Sequence, residues 1–211
     1  MNNQPKCLGK TIRTVLGSLV LMLVCSSVAH AHNCYQSNGF MSGLWHPVLG
    51  LDHLLAMLGV GMVSTQMGGR AIWTVPLAFV VGMLVGGILG MMGTNLPLVE
   101  YGIVLSVVII GVVLAVARKI PVEICMTAVV FFAIFHGHAH GVEMPSAEKP
   151  VLFATGFVLG TSLIHIVGIF IAMILEALPK GPVLLRFSGL AMVGYGLWLL
   201  FQYVVFPYEM L

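Results

Sequence analysis

Two short stretches of the chain carry imidazole and carboxylate side chains within otherwise apolar sequence. The first is HPVLGLDH, residues 46–53, and the second is FHGHAHGVE, residues 135–143. Ionisable side chains inside an apolar segment are costly unless they face a cavity, a partner or an ion. Imidazoles combined with carboxylates suit borderline divalent ions such as nickel, cobalt, zinc or copper, whereas calcium and magnesium favour oxygen ligands. The two stretches therefore predict a site for a divalent transition metal.

The first stretch reads as part of one helix. On a regular α-helix, His46 and His53 lie on the same face, about two turns apart. Asp52 lies close enough to orient an imidazole through its second nitrogen or to bind the ion itself. Pro47 and Gly50 can loosen the local helix and free carbonyl groups beside a cavity. The alternative is a pair of core histidines that hydrogen-bond to neighbouring helices.

The second stretch places three candidate ligands on one face of a helix. His136, His140 and Glu143 follow one another at successive turns. His138 points elsewhere on a regular helix, unless the glycines on either side of it distort the backbone. A purely structural cluster is disfavoured, because three neighbouring imidazoles repel one another when protonated and lack hydrogen-bond partners when neutral.

The composition defines the class of protein. The chain has 211 residues, of which 59% are hydrophobic and only 8% are charged. A water-exposed globular surface needs far more charge, so the sequence predicts an integral membrane protein. The formal net charge of +2 leaves neither a basic stripe for nucleic acid nor an acidic tail. We therefore expect the lipid bilayer, and no nucleic acid, as a partner.

The amino-terminal region differs from the rest of the chain. Three basic residues precede an apolar stretch from about residue 15 to residue 25, and Ala29-His30-Ala31 follows with the small-x-small pattern that signal peptidase reads. We predict a signal peptide over residues 1–31 and a transmembrane domain over residues 32–211. The alternative is an uncleaved anchor helix, although the apolar run is nearer the ~11 residues of a signal core than the ~20 of a span.

Six further apolar segments follow, each close to the ~20 residues that a bilayer requires. We predict an all-α six-helix transmembrane bundle with spans at about 44–66, 71–92, 97–117, 121–142, 151–177 and 184–206. The second and fifth spans share the pattern Phe-x-x-Gly-x-x-x-Gly, which is compatible with two inverted three-helix repeats or with unrelated packing ridges. In either case, glycines clear one helix face for close approach of a neighbour, namely Gly82, Gly86, Gly90, Gly156 and Gly160.

Basic residues predict the orientation of the spans. Arg70, Arg118, Lys119, Lys180 and Arg186 fall in the first, third and fifth connections, and the alternate side holds only a single lysine. Since lysine and arginine concentrate in cytoplasmic loops, these connections are expected in the cytoplasm. The sequence therefore predicts a multi-pass protein of the bacterial inner membrane with both mature termini in the periplasm. Both histidine stretches then lie in the outer half of the membrane and can converge on one site.

Three further residues are weaker candidates. His165 lies deeper, about 21 Å below the outer end of the fifth span at the usual helical rise, and is equally compatible with an ion path and with a hydrogen-bonded core. Glu100, near the outer end of the third span, adds negative charge at the mouth or is a simple interfacial carboxylate. Cleavage after Ala31 would place His32 at the mature amino terminus, where its amine and imidazole could chelate one metal ion together.

At these residues the sequence resembles the HupE/UreJ family of hydrogenase and urease accessory proteins, which are regarded as secondary nickel permeases, some associated with cobalt. The resemblance covers essentially the whole mature chain, with HPVLGLDHLLAM in the first span and FHGHAHGVE in the fourth. It implies metal-ligand or orienting roles for His46, Asp52, His53, His136 and His140. His32, His138, Glu143 and His165 rest on chemistry and position rather than on the motif.

The resemblance implies a secondary transporter that moves Ni²⁺ or Co²⁺ from the periplasm to the cytoplasm and supplies metalloenzyme maturation such as that of hydrogenase or urease. We expect no enzymatic activity and no permanently bound cofactor, with the metal ion as substrate and metallochaperones of hydrogenase or urease maturation as partners. Histidine and carboxylate clusters also activate water or bind haem. An intramembrane zinc or iron metalloenzyme and a haem-binding electron carrier are therefore the alternatives.

Overall fold

The computed structural model describes residues 39–118, 120–144 and 149–205 of the chain. Within these ranges the chain forms helices and no strand, which confirms the predicted all-α fold. The predicted signal peptide, and with it the cleavage site before His32, lies outside the described residues. In chain order the helices are α1 Gly39–Leu49, α2 Leu51–Met67, α3 Ala71–Met91, α4 Val99–Val116, α5 Val122–Glu143, α6 Pro150–Glu176 and α7 Gly181–Val205.

Five helices, α3 to α7, are long and apolar enough to cross a membrane. They correspond closely to the second to sixth predicted spans, so the hydropathy pattern located these helices correctly. Short connections join them, and the turn between α2 and α3 contains Gly68 and Gly69, both with positive φ. A positive φ is a conformation that glycine adopts without steric cost. The described residues thus form a multi-span helical bundle.

The first predicted span is a bent pair of helices rather than one continuous helix. α1 and α2 meet at an angle of 83° and are separated at Gly50, which has an extended backbone conformation. Pro47 lacks the N–H group that would bond to the preceding turn, and glycine has a low helix propensity, so the sequence weakens the helix at this place. The prediction that His46 and His53 lie on one face of a regular helix is therefore wrong.

Close packing at glycines joins the helices in pairs. α3 packs along α5, where a Cβ atom at Gly86 would collide with the carbonyl oxygen of Ile134. α6 packs along both α1 and α2, and a Cβ atom at Gly156 would collide with the carbonyl oxygen of Phe40. The third pair, α4 and α7, meets at Gly111 and Gly189. The predicted role of the glycine ridges in close helix approach is confirmed.

Gly137 of α5 provides a direct test of this packing. A Cβ atom there would collide with the backbone of Met83 in α3, which cannot move aside as a side chain can. Overpacking typically costs about 1–3 kcal/mol, so we expect Gly137→Ala to lower the thermal unfolding temperature of the purified protein. Gly194→Ala is the matched control, because nothing lies within 4 Å of a Cβ atom at that position. Equal stability of the two variants would contradict the described packing.

Candidate metal centre

The carboxyl-terminal end of α5 lies beside the bend between α1 and α2. His46 Nε2 lies 3.0 Å from His140 Nδ1 and 3.2 Å from Glu143 Oε2. The distance from His140 Nδ1 to the same carboxylate oxygen is 3.7 Å. One ligand atom from each of these residues falls within 4.8 Å of the other two. His46, His140 and Glu143 are referred to below as the outer set, because the side chains of His46 and Glu143 are partly exposed at the protein surface.

The chemistry of the outer set follows from its atoms. Two imidazole nitrogens and a carboxylate oxygen lie close together, and each of these atoms has a lone pair. Without an ion, only a shared proton can reduce the repulsion between such lone pairs. A divalent ion in place of such a proton would accept all three lone pairs at once. Phe157 and Phe153 of α6 form an apolar wall beside the imidazoles, with ring centroids 4.4 Å from His140 and 5.2 Å from His46, respectively.

His53 is held by its sequence neighbour. Its Nδ1 lies 2.9 Å from Asp52 Oδ1, and the same oxygen accepts the backbone N–H of His53 at 2.8 Å. A carboxylate only accepts hydrogen bonds, so Nδ1 carries the proton and Nε2 keeps its lone pair. That Nε2 is buried and has no hydrogen-bond partner among the described residues. Asp52 therefore orients the imidazole in the way expected of a residue that supports a metal ligand.

The outer set continues inward through further imidazole rings. The centroid of the His53 ring lies 4.6 Å from that of His140 and 4.8 Å from that of His136. His136 is fully buried on α5, one helical turn before His140. The bend at Gly50 and the end of α5 thus bring four of the predicted histidines into one continuous cluster.

Phe79 of α3 separates this cluster from the deeper histidine. Its ring centroid lies 5.4 Å from that of His136 and 5.0 Å from that of His165. His165 is buried on α6, and neither of its ring nitrogens has a hydrogen-bond partner in the described part of the chain. In the sequence, Phe79 is notable only as the first residue of the Phe-x-x-Gly-x-x-x-Gly pattern. Its position between two histidines could not be predicted, because it depends on the packing of α3 against α5 and α6.

Two predicted candidates lie apart from the cluster. His138 points to another side of α5, where its Nε2 donates a hydrogen bond to the carbonyl oxygen of Thr94 at 2.7 Å. It therefore ties α5 to the connection between α3 and α4. Glu100, at the start of α4, accepts a hydrogen bond from the hydroxyl of Tyr203 at 3.3 Å. His32 lies outside the described residues.

These helices and the buried cluster of histidines and carboxylates define a multi-span membrane protein with polar chemistry inside its helical bundle. A profile of the HupE / UreJ protein family matches residues 20–199 of the chain. The chain belongs to the HupE/UreJ family, as the resemblance of its motifs predicts. It is thus an accessory, permease-type membrane protein.

The chain is also similar to a named protein from a bacterium. Protein HupE from Rhizobium leguminosarum bv. viciae is 41% identical over 189 residues, which cover 90% of this chain and 96% of that protein. No solved structure matches the chain. An alignment of this length includes both histidine stretches, so the similarity concerns most of the bundle rather than one motif.

Proposed function

We propose that the protein is a secondary transporter that moves a divalent transition metal, Ni²⁺ or Co²⁺, from the periplasm to the cytoplasm. The observation that carries this proposal is the outer set, in which two imidazole nitrogens and one carboxylate oxygen lie within 4.8 Å of one another. This combination of donors suits borderline divalent ions better than magnesium or calcium. The metal ion is the substrate of the protein and passes through the site.

The exposure of the cluster supports entry from one side. The side chains of Glu143 and His46 are 60% and 27% exposed, whereas His136 and His165 are almost entirely buried. Beyond Phe79 lies a cavity of about 200 Å³ whose walls are aliphatic and aromatic. A hydrated ion is unstable against such walls. The arrangement therefore fits a state that is open to the surface at Glu143 and closed towards the other membrane face.

The succession of rings supports a route for the ion. From the outer set the ion reaches His53 and then His136, and each imidazole can replace a water molecule around the ion. Phe79 then has to move before His165 can bind the ion. The Phe79 ring therefore blocks the route, and release of the ion towards the cytoplasm requires the helices around this ring to rearrange.

The packing also supports two inverted three-helix halves, of which α1–α2, α3 and α4 form one and α5, α6 and α7 the other. α3, the second span of the first half, packs on α5, the first span of the second half. Correspondingly, α6 packs on α1 and α2, and the third spans, α4 and α7, pack on each other. Such an exchange of partners is what an inverted repeat produces in transporters.

Membership of the family supports a proposal for the cellular role. We propose that the transported metal supplies the maturation of a hydrogenase or urease through metallochaperones, and that the protein works in the bacterial inner membrane with its mature termini in the periplasm. The orientation rests on the basic residues of the connections, of which Arg70, Arg118 and Lys180 lie on the proposed cytoplasmic side.

Reconstitution tests the proposed function. The purified full-length protein in lipid vesicles should accelerate entry of Ni²⁺ and Co²⁺, measured with a metal-sensitive fluorophore trapped inside. A large excess of Mg²⁺ should not compete, because the imidazoles of the route bind it poorly. Vesicles with His46→Ala protein, at equal protein content, are the control. Entry no faster than in protein-free vesicles would overturn the proposal.

A further inference from the structure

A buried serine on α4 contacts the most enclosed histidine of the cluster. Ser106 has no exposed surface, and its Oγ lies 2.9 Å from His136 Nε2. The same Oγ lies 2.6 Å from the carbonyl oxygen of Ile103, one turn earlier in α4. Nothing in the sequence predicts a role for this serine, since it lies 30 positions from the histidine that it contacts and on another helix.

The two contacts fix the proton on His136. A serine hydroxyl has one hydrogen and a carbonyl oxygen has none, so at 2.6 Å the hydrogen must lie between Ser106 and Ile103. Otherwise two oxygen lone pairs would face each other at that distance. Ser106 Oγ consequently accepts a hydrogen bond, and His136 Nε2 donates it. The lone pair of His136 is then on Nδ1, which is buried and has no hydrogen-bond partner among the described residues.

His136 and His53 are therefore held in complementary ways. Ser106 fixes the first through Nε2, and Asp52 fixes the second through Nδ1. Each ring keeps one buried lone pair without a partner, and the ring centroids are 4.8 Å apart. His140, whose ring contacts that of His53, also has a buried Nε2 without a partner. Leaving a buried polar atom unpaired is energetically costly, so three such atoms in contacting rings need an explanation.

We propose that Ser106 is a positioning residue for a second metal site, which lies deeper in the bundle than the outer set and is referred to below as the inner station. This inference rests on the proposed function. In this inner station His136 would bind through Nδ1 and His53 through Nε2. Among the described residues only the outer set already has three ligand atoms within 4.8 Å of one another, so His140 Nε2 becomes a third donor only when the rings close around the ion. The outer set offers one carboxylate oxygen beside its two imidazole nitrogens, whereas the inner station offers nitrogen alone. It selects ions that bind imidazole and rejects Mg²⁺ and Ca²⁺, which need oxygen.

Co²⁺ binding to the purified full-length protein in detergent tests this role, because the visible absorption of Co²⁺ reports its ligands and their geometry. Loss of a residue that orients a metal ligand typically costs about 10–100-fold in affinity. We expect a loss of that size in Ser106→Ala, together with a changed Co²⁺ spectrum. Ser64→Ala is the matched control, since Ser64 is equally buried and donates a hydrogen bond to a carbonyl oxygen one turn earlier, but hydrogen-bonds to no histidine within the described part of the chain. It should bind Co²⁺ like the wild type.

A second pair of variants separates positioning from a general effect on folding. His136→Leu should weaken Co²⁺ binding, and adding Ser106→Ala to it should change neither affinity nor spectrum further, because the serine then has nothing to orient. A further loss in the double variant, or wild-type binding by folded Ser106→Ala, would overturn the role of Ser106. Absence of Co²⁺ binding by the wild type would instead overturn the proposed function.

Discussion

Replacing His140 with alanine should reduce Ni²⁺ uptake to the background of cells that lack the protein. His140 Nδ1 belongs to the outer set, and the His140 ring also contacts that of His53. The substitution therefore removes one ligand of the entry site and the connection from that site to the inner rings. Phe157, which packs against the same ring, has no donor atom that could replace the lost nitrogen. The measurement is accumulation of radioactive nickel by cells at matched protein levels.

His138→Gln is the matched control for this prediction. His138 lies on the same helix, is also buried, and donates a hydrogen bond to the carbonyl oxygen of Thr94. Glutamine keeps a donor for that bond while removing the imidazole. Uptake close to that of the wild type is expected. If His138→Gln and His140→Ala were equally inactive, loss of any histidine from α5 would be harmful, and the special position of His140 would be disproved.

The second large effect is expected at the first turn of α2. His53→Ala should abolish uptake of nickel, cobalt and zinc alike, because His53 lies between the outer set and His136. Asp52→Asn should be less severe. The amide oxygen still accepts a hydrogen bond, but the negative charge that favours the Nδ1–H form of His53 is lost, which typically lowers metal affinity about 10–100-fold. The apparent metal concentration for half-maximal uptake should rise accordingly.

Glu123→Gln provides the control for the loss of a carboxylate. Glu123 lies in the first turn of α5, at the end of the helix opposite to Glu143. Its replacement by glutamine removes one negative charge without affecting the cluster. Its uptake should match that of the wild type. Wild-type transport of every metal by His53→Ala would disprove the assignment of the inner rings to the route.

The helices themselves were largely predictable, because a bilayer requires long apolar segments and the sequence interrupts them with glycine, proline and charge. The bend in the first span was not. Pro47 and Gly50 are visible in the sequence, but proline and glycine also occur in continuous membrane helices, where neighbouring helices satisfy the freed backbone groups. Only the packing of α1 along α6 shows that the chain turns by 83° at this place.

The site was predictable to a similar degree. The types of residue in the two stretches, and the shared face of His136, His140 and Glu143, follow from composition and helical spacing. The direct contact of His46 with His140 spans 94 positions, and the contacts of Ser106 and Phe79 with His136 also join different helices. Nothing in a single sequence encodes such pairings locally. His46 and His53, expected two turns apart on one face of a regular helix, instead lie on either side of the bend, and each contacts His140.

The glycine-packed pairs have a mechanical consequence for the cluster. Backbones in direct contact leave little freedom, so α3 and α5 should move as one rigid block, and α1, α2 and α6 as another. The donors are divided between the two blocks and face one another across the boundary, or seam, between them. His46, Asp52 and His53 belong to the block of α1, α2 and α6, and His136, His140 and Glu143 belong to the block of α3 and α5. Sliding of the blocks past each other would pull all the donor pairs across the seam apart together. An ion bound by donors from both blocks therefore links the two blocks, and its release leaves them free to shift.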